Sequence, residues 1–129
     1  MKALYLSLWL TLIFLTHSCK KEEFVDSSAL LGKWKLYDTY LSIGGPLIYS
    51  RVAEGNEVYL TFNARGRLSG TNTDYMSYNL KDTTIVTFIK KDKTRENYYY
   101  RIEDGFLNLS PAEAAMCIEG CGSRYEKIE

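Results

Sequence analysis

The only histidine, His17, stands at the polar end of an apolar leader, so a mature chain that has lost the leader has no imidazole. Histidine is the usual general base near neutral pH and the commonest metal ligand. Its loss excludes Ser–His–Asp and Cys–His catalysis and a histidine-based zinc site. Carboxylates are the acid–base groups that remain. Glu54 with Glu57, Glu96 or Glu103 would supply the two carboxyls of a glycoside hydrolase, but most of them sit beside turns, where acids are ordinarily just solvated. The expectation is therefore a protein that is not an enzyme, with no catalytic residue, no cofactor and no metal. Tyrosine is the conspicuous side chain: ten of eleven follow the leader, three of them in the run Tyr98-Tyr99-Tyr100. Neighbours on a strand point to opposite faces, so Tyr98 and Tyr100 share one face and Tyr99 takes the other. Two roles stay open for them. One is cross-strand aromatic pairing that stabilises the sheet. The other is contact with a ligand or partner, where tyrosine offers large area at low entropic cost.

The leader decides where such a domain lives. Residues 3–18, ALYLSLWLTLIFLTHS, carry no formal charge and follow Lys2, the pattern of a secretory signal. The run 3–15 is shorter than the roughly 20 residues that span a bilayer. At its end, Ser18-Cys19 resembles the bacterial lipobox, although Thr16 and His17 depart from its strictest form, and SCKKEE is similar to lipoproteins of one large Gram-negative phylum. The resemblance implies cleavage before Cys19, diacylglycerol on its thiol and a further acyl chain, such as palmitate, on the new amino terminus. Each buried methylene contributes about 0.8 kcal/mol, and two or more chains hold stably where one holds marginally. It also implies an outer-membrane address, lysine rather than aspartate following the cysteine. Lys20, Lys21, Glu22 and Glu23 are either a surface-export signal or a solvated spacer. The resulting organisation is a signal peptide over 1–18, a lipidated tether over 19–29 and a folded domain over 30–129.

With Cys19 acylated, Cys117 and Cys121 are the one remaining pair. Exported compartments are oxidising, so a structural disulfide is the expected state. A metal reading lacks two further ligands, and a redox reading lacks the Cys-x-x-Cys spacing. Cleavage removes Lys2 alone among charged residues, leaving 15 basic against 16 acidic side chains. That balance gives no electrostatic footprint for nucleic acid.

What must position these groups is a set of short strands. Val58, Leu60 and Phe62 alternate with Glu57, Tyr59 and Thr61, the period of a half-buried strand. Similar alternation around 84–90 and 96–103 is rich in β-branched and aromatic residues. NARGR (63–67), KDTT (81–84), KKDKT (90–94) and EDG (103–105) read as turns. The expected strands are 32–42, 46–52, 56–63, 67–73, 75–81, 84–90, 96–103, 106–110 and 123–128, with one helical turn at 110–116, where Ser110 caps and Pro111 opens it. Eight or nine sequential strands with no long crossover predict an all-β, antiparallel up-and-down barrel, a sandwich being the other architecture of this pattern.

Gly32-Lys33-Trp34, YLTFNARGRLSG (59–70) and SRYEKI (123–128) resemble lipocalins and bacterial lipocalin-like lipoproteins across about residues 30–128. The resemblance implies a barrel closed at one end by Trp34, with a late basic residue stacked on the indole. Arg124 matches that position, with Lys127 as the second choice. Asp82-Thr83-Thr84 resembles a short O-glycan acceptor of the same phylum. The functional expectation is a membrane-anchored, non-enzymatic protein that binds a small apolar or amphipathic ligand, unless its own side chains fill the barrel. The alternative is an envelope protein-interaction module, an inhibitor or accessory subunit, using surface tyrosines and the 117–121 loop.

Overall fold

The computed structural model describes residues 27–113 and 120–129. The leader, Cys19, the tether as far as residue 26 and Cys117 lie outside the described residues. Nine strands follow in order: β1 (Gly32–Leu41), β2 (Ile48–Arg51), β3 (Tyr59–Phe62), β4 (Leu68–Gly70), β5 (Tyr75–Leu80), β6 (Ile85–Lys90), β7 (Arg95–Glu103), β8 (Phe106–Pro111) and β9 (Cys121–Lys127). All fall where the alternation placed them, and β3 and β4 are shorter than expected. Among the described residues there is no helix. Ser110 and Pro111, expected to start a helical turn, instead end β8 opposite Tyr99 and Tyr98. The ladder with β7 simply continues, because a proline at a strand terminus costs only its own donor.

Every pairing is antiparallel, in the order β4-β3-β1-β9-β8-β7-β6-β5, with β2 also on β1. The first and last long strands meet over Trp34–Leu41 and Cys121–Lys127, which turns the meander into a nearly closed up-and-down barrel consistent with lipocalin-like architecture. The seam lies between β4 and β5. Among the described residues, the backbone crosses it only through the bridge Arg67–Ser77 and the bond from Tyr78 N to Gly66 O at 2.9 Å. Side chains do the rest: Tyr78 donates to the Asn63 carbonyl at 2.7 Å and packs edge-on against Phe62 at 5.0 Å.

β1 serves two neighbours along one edge. Its first half pairs with β3 and its second half with β2. A bulge at Tyr37 shifts its register against β9 between Leu36 and Asp38. The extra residue swaps the faces of the strand. Leu36 pairs with Tyr125, which packs against the core, whereas Asp38 pairs with Arg124, which points the other way. The core consists of Leu30, Trp34, Leu60, Phe62, Leu68, Tyr78, Val86, Phe88, Leu107 and Leu109. All of it falls within the closed ring and the turn that enters it, so the described residues carry their own core.

Candidate functional site: the open end of the barrel

The two ends of the ring differ. At one end Trp34 is 1% exposed and its indole N–H donates to the Leu30 carbonyl at 2.8 Å, satisfying the polar handle that a buried tryptophan brings with it. The cation over this indole is Lys127, with Nζ 5.5 Å from the ring centroid. Arg124, the position matched to that role by resemblance, is occupied elsewhere. It alternates with Tyr125 along β9, and Tyr125 faces inward, so Arg124 emerges on the outer face. Gly32 begins β1 at φ +119°, and an added Cβ would collide with the Glu129 carbonyl. The glycine is needed there because only a residue without Cβ lets the chain's last residues cross so close.

The other end opens into a cavity of about 430 Å3 lined by Leu60, Phe88 and Leu109 below and by Thr71, Thr73, Tyr75, Tyr98, Ser123 and Tyr125 nearer the mouth. This volume lies within the usual range of small-molecule sites. Tyr98 reaches it because the even positions of β7 point inward, and its ring packs 5.0 Å from Phe88. Tyr75, from the first position of β5, meets the same phenylalanine at 4.9 Å. No described residue lining the cavity carries a charge.

Behind the two phenols sits a carboxylate. Glu96 is two residues before Tyr98 on the same face of β7. Tyr75 and Tyr98 both donate to its Oε2, Tyr98 at 3.0 Å, and Lys90 Nζ lies 2.6 Å from its Oε1. Burial pulls the Glu96 carboxyl upward, but the bonds from Lys90, Tyr75 and Tyr98 outweigh it and hold the group below the ordinary carboxylate value. Burial and the Glu96 bond push the Tyr75 phenol upward. Burial raises Tyr98 too, and it pushes Tyr125 up to about 12. At neutral pH the wall presents three protonated phenols, and the carboxylate behind two of them is ionised and lysine-paired.

The remaining residues singled out in the sequence are dispersed. Tyr100 faces inward and packs against the core, while Tyr99 is 50% exposed. The tyrosine run is therefore split between interior and surface, as strand alternation requires. Arg124 forks onto Asp38, its Nε 2.8 Å from Oδ1 and its second nitrogen on Oδ2. The guanidinium also lies 4.8 Å from the Tyr49 ring and 5.3 Å from Phe106. Glu54 and Glu57 share a shallow groove with Arg51 and Glu126. Neither Glu96, engaged at the cavity, nor Glu103, paired with Arg101 at 3.0 Å, joins them. Glu57 is held below its ordinary value by backbone hydrogen bonds, the opposite of what a general acid needs. Cys121 is held in a disulfide. Cys117, the partner expected for it, lies outside the described residues. Asp82 accepts bonds from the Thr84 backbone and hydroxyl and from Ile85 N, so 81–84 is an exposed side-chain-capped turn.

Sequence reasoning missed Tyr75, Lys90 and Tyr125, and named Glu96 only as a candidate catalytic partner of Glu54. The signal for Glu96 was present: once Tyr98 is placed inward, period-two alternation carries Glu96 inward with it. Tyr75 and Lys90 face each other across the β5–β6 ladder, which no local pattern discloses. Fold and site together define a small antiparallel β-barrel with one plugged end and one open, phenol-rimmed end. No protein-family description, curated protein or solved structure matches the chain.

Proposed function

We propose that this chain is a non-enzymatic, lipid-anchored envelope protein that holds a small apolar or amphipathic molecule in the open end of its barrel. The observation that carries the reading is the cavity of about 430 Å3 with an apolar floor and a polar rim. An apolar pocket with a few convergent polar groups is the usual form of a small-molecule site. Acylation of Cys19 after removal of 1–18 supplies the anchor, as the lipobox resemblance implies, and places the protein at the outer membrane. Cys117 is the proposed partner of Cys121, pinning the segment that leads into β9 beside the cavity mouth.

The test uses residues 20–129 in native mass spectrometry with a panel of apolar and amphipathic small molecules. At least one binds the wild-type chain and is lost in Thr73→Trp, which plugs the mouth without entering the core. If every probe fails on the wild type, the carrier reading is wrong. Anchoring is read separately: Cys19→Ala accumulates unprocessed and loses acyl labelling, and normal processing of that variant defeats the lipoprotein assignment.

A second reading, an envelope protein-interaction module, is favoured by a different observation. Residues 39–50 contain no charge, and Leu41, Ile43, Leu47, Ile48 and Tyr49 there are all exposed, Ile43 at 76%. An apolar cluster of this kind on a small domain marks an interaction site. Together with Tyr99 and the 117–121 loop it would form the partner surface. A pull-down from envelope extract decides it: capture that survives both Ile43→Ser/Leu47→Ser and Tyr99→Ala removes this reading.

A further inference from the structure

The head group that the open-end cavity accepts is decided by the protons at its rim. Tyr75 Oη and Tyr98 Oη lie 3.0 Å apart, and both bond Oε2 of Glu96. An ionised carboxylate only accepts hydrogen bonds. Both phenolic protons are therefore drawn away from the cavity, toward Glu96. What each phenol oxygen has left to offer the cavity is a lone pair. Lys90 and Glu96 neutralise one another behind this rim at 2.6 Å, and neither lines the cavity.

We infer that the cavity selects a small neutral amphiphile with a hydrogen-bond-donating head, an alcohol or phenol, over a carboxylate of the same length. The hydroxyl donates to the Tyr75 and Tyr98 oxygens, and the hydrocarbon body lies against Leu60, Phe88 and Leu109. This deepens, and rests on, the carrier reading above. At the Tyr75–Tyr98 pair a carboxylate meets acceptors where it needs donors. The hydroxyls of Thr71, Thr73, Ser123 and Tyr125 bring it no balancing charge, and an ionised group buried without a charged partner is heavily penalised. An ammonium finds acceptors but no balancing charge, since that of Glu96 is already matched by Lys90. At about 30 Å3 for each water-sized group, the cavity has room for roughly a dozen non-hydrogen atoms.

The test is a calorimetric titration of residues 20–129 with decan-1-ol, decylamine, decanoate and 1-methoxynonane. The last has the same number of heavy atoms as the alcohol and no donor. The alcohol should bind at least about tenfold more tightly than decanoate and about threefold more tightly than the ether, the scale of one net hydrogen bond. In Tyr75→Phe/Tyr98→Phe the alcohol and the ether should bind alike. In Glu96→Gln the phenol protons lose their ionised acceptor and Lys90 loses its counter-charge, so decanoate should gain at least about fivefold. Decanoate equalling decan-1-ol on the wild type overturns the inference, as does an alcohol preference that persists in the double phenylalanine variant. If none of the four binds, the carrier reading itself falls and takes the inference with it.

Discussion

Arg124 shows how one side chain can be matched by pattern and used differently by geometry. Its fork onto Asp38 neutralises a carboxylate that is 2% exposed, and its plane is flanked by Tyr49 and Phe106. Removing one partner of a buried pair strands the other, at a cost of about 3 kcal/mol. Arg124→Ala should therefore lower the urea midpoint by that equivalent, while Arg124→Lys recovers only part because an ammonium cannot fork or stack as a guanidinium does. A lysine variant indistinguishable from wild type would remove the bidentate pair as the reason. Tyr125 carries a second residue-scale prediction. Its phenol titrates at about 12 in the fold, above its ordinary 10, so the folded state keeps a proton that the unfolded chain releases. The associated stability, about 3 kcal/mol, is fully present below pH 10 and is lost as pH rises from 10 through 12. Urea midpoints at pH 8 and pH 11 should diverge in wild type and diverge less in Tyr125→Phe. Glu96 acts in the opposite direction: its depressed carboxyl stabilises the fold above the unfolded value and stops doing so as pH falls through the lower folded one.

Among the elements, the weakest joint is the seam between β4 and β5. β1 and β9 share seven register pairs, but among the described residues only the bridge Arg67–Ser77 and the bond from Tyr78 N to Gly66 O join the β4 and β5 edges through the backbone. Local opening follows such sparse contacts. Amide exchange should be fastest, among the strands, in β4 and the facing edge of β5, and slowest in β8 and β9. Uniform protection around the ring would contradict that picture. The strands themselves were legible because alternation at 57–62 and 96–103 and the glycine- and aspartate-bearing turns are local signals. The bulge at Tyr37 was not legible, because it depends on which residue of β9 lies opposite. The helical turn expected from Ser110 and Pro111 failed for a related reason: propensity favoured a cap, while the register with Tyr98 and Tyr99 favoured a ladder. The site was half visible. Tyr98 and Tyr99 were assigned to opposite faces from spacing alone, yet the partners of Tyr98 come from β5 and β6, and which of their residues meet it depends on the register of two successive hairpins.

At the scale of the whole molecule, interior and exterior place different demands on the same small sheet. One end of the barrel is plugged by Trp34, Phe62 and Leu107, all essentially buried, and the other is left open. The uncharged tip of the β1–β2 hairpin, residues 39–50, stands at the open end, tied to the start of β9 by the bond from Ser42 N to Gly120 O at 2.8 Å. Its apolar side chains contribute little to the core, so Ile43→Ser/Leu47→Ser should change folding stability by no more than about 0.5 kcal/mol per site. Self-association at high concentration, measured by sedimentation, should nevertheless fall. A large loss of stability instead would mean that the hairpin belongs to the fold rather than to its surroundings.

The bulge at Tyr37 gives β1 one residue more than its ladder with β9 needs. Deleting that single position would restore uniform alternation and keep every face: Leu36 stays opposite Tyr125, Asp38 stays opposite Arg124, and the ring contact of Tyr37 with Phe106 is lost. Natural variation in Gly32–Leu41 should accordingly accept loss of that one residue far more readily than a gain or loss elsewhere in the strand, which would turn every side chain beyond it to the opposite face.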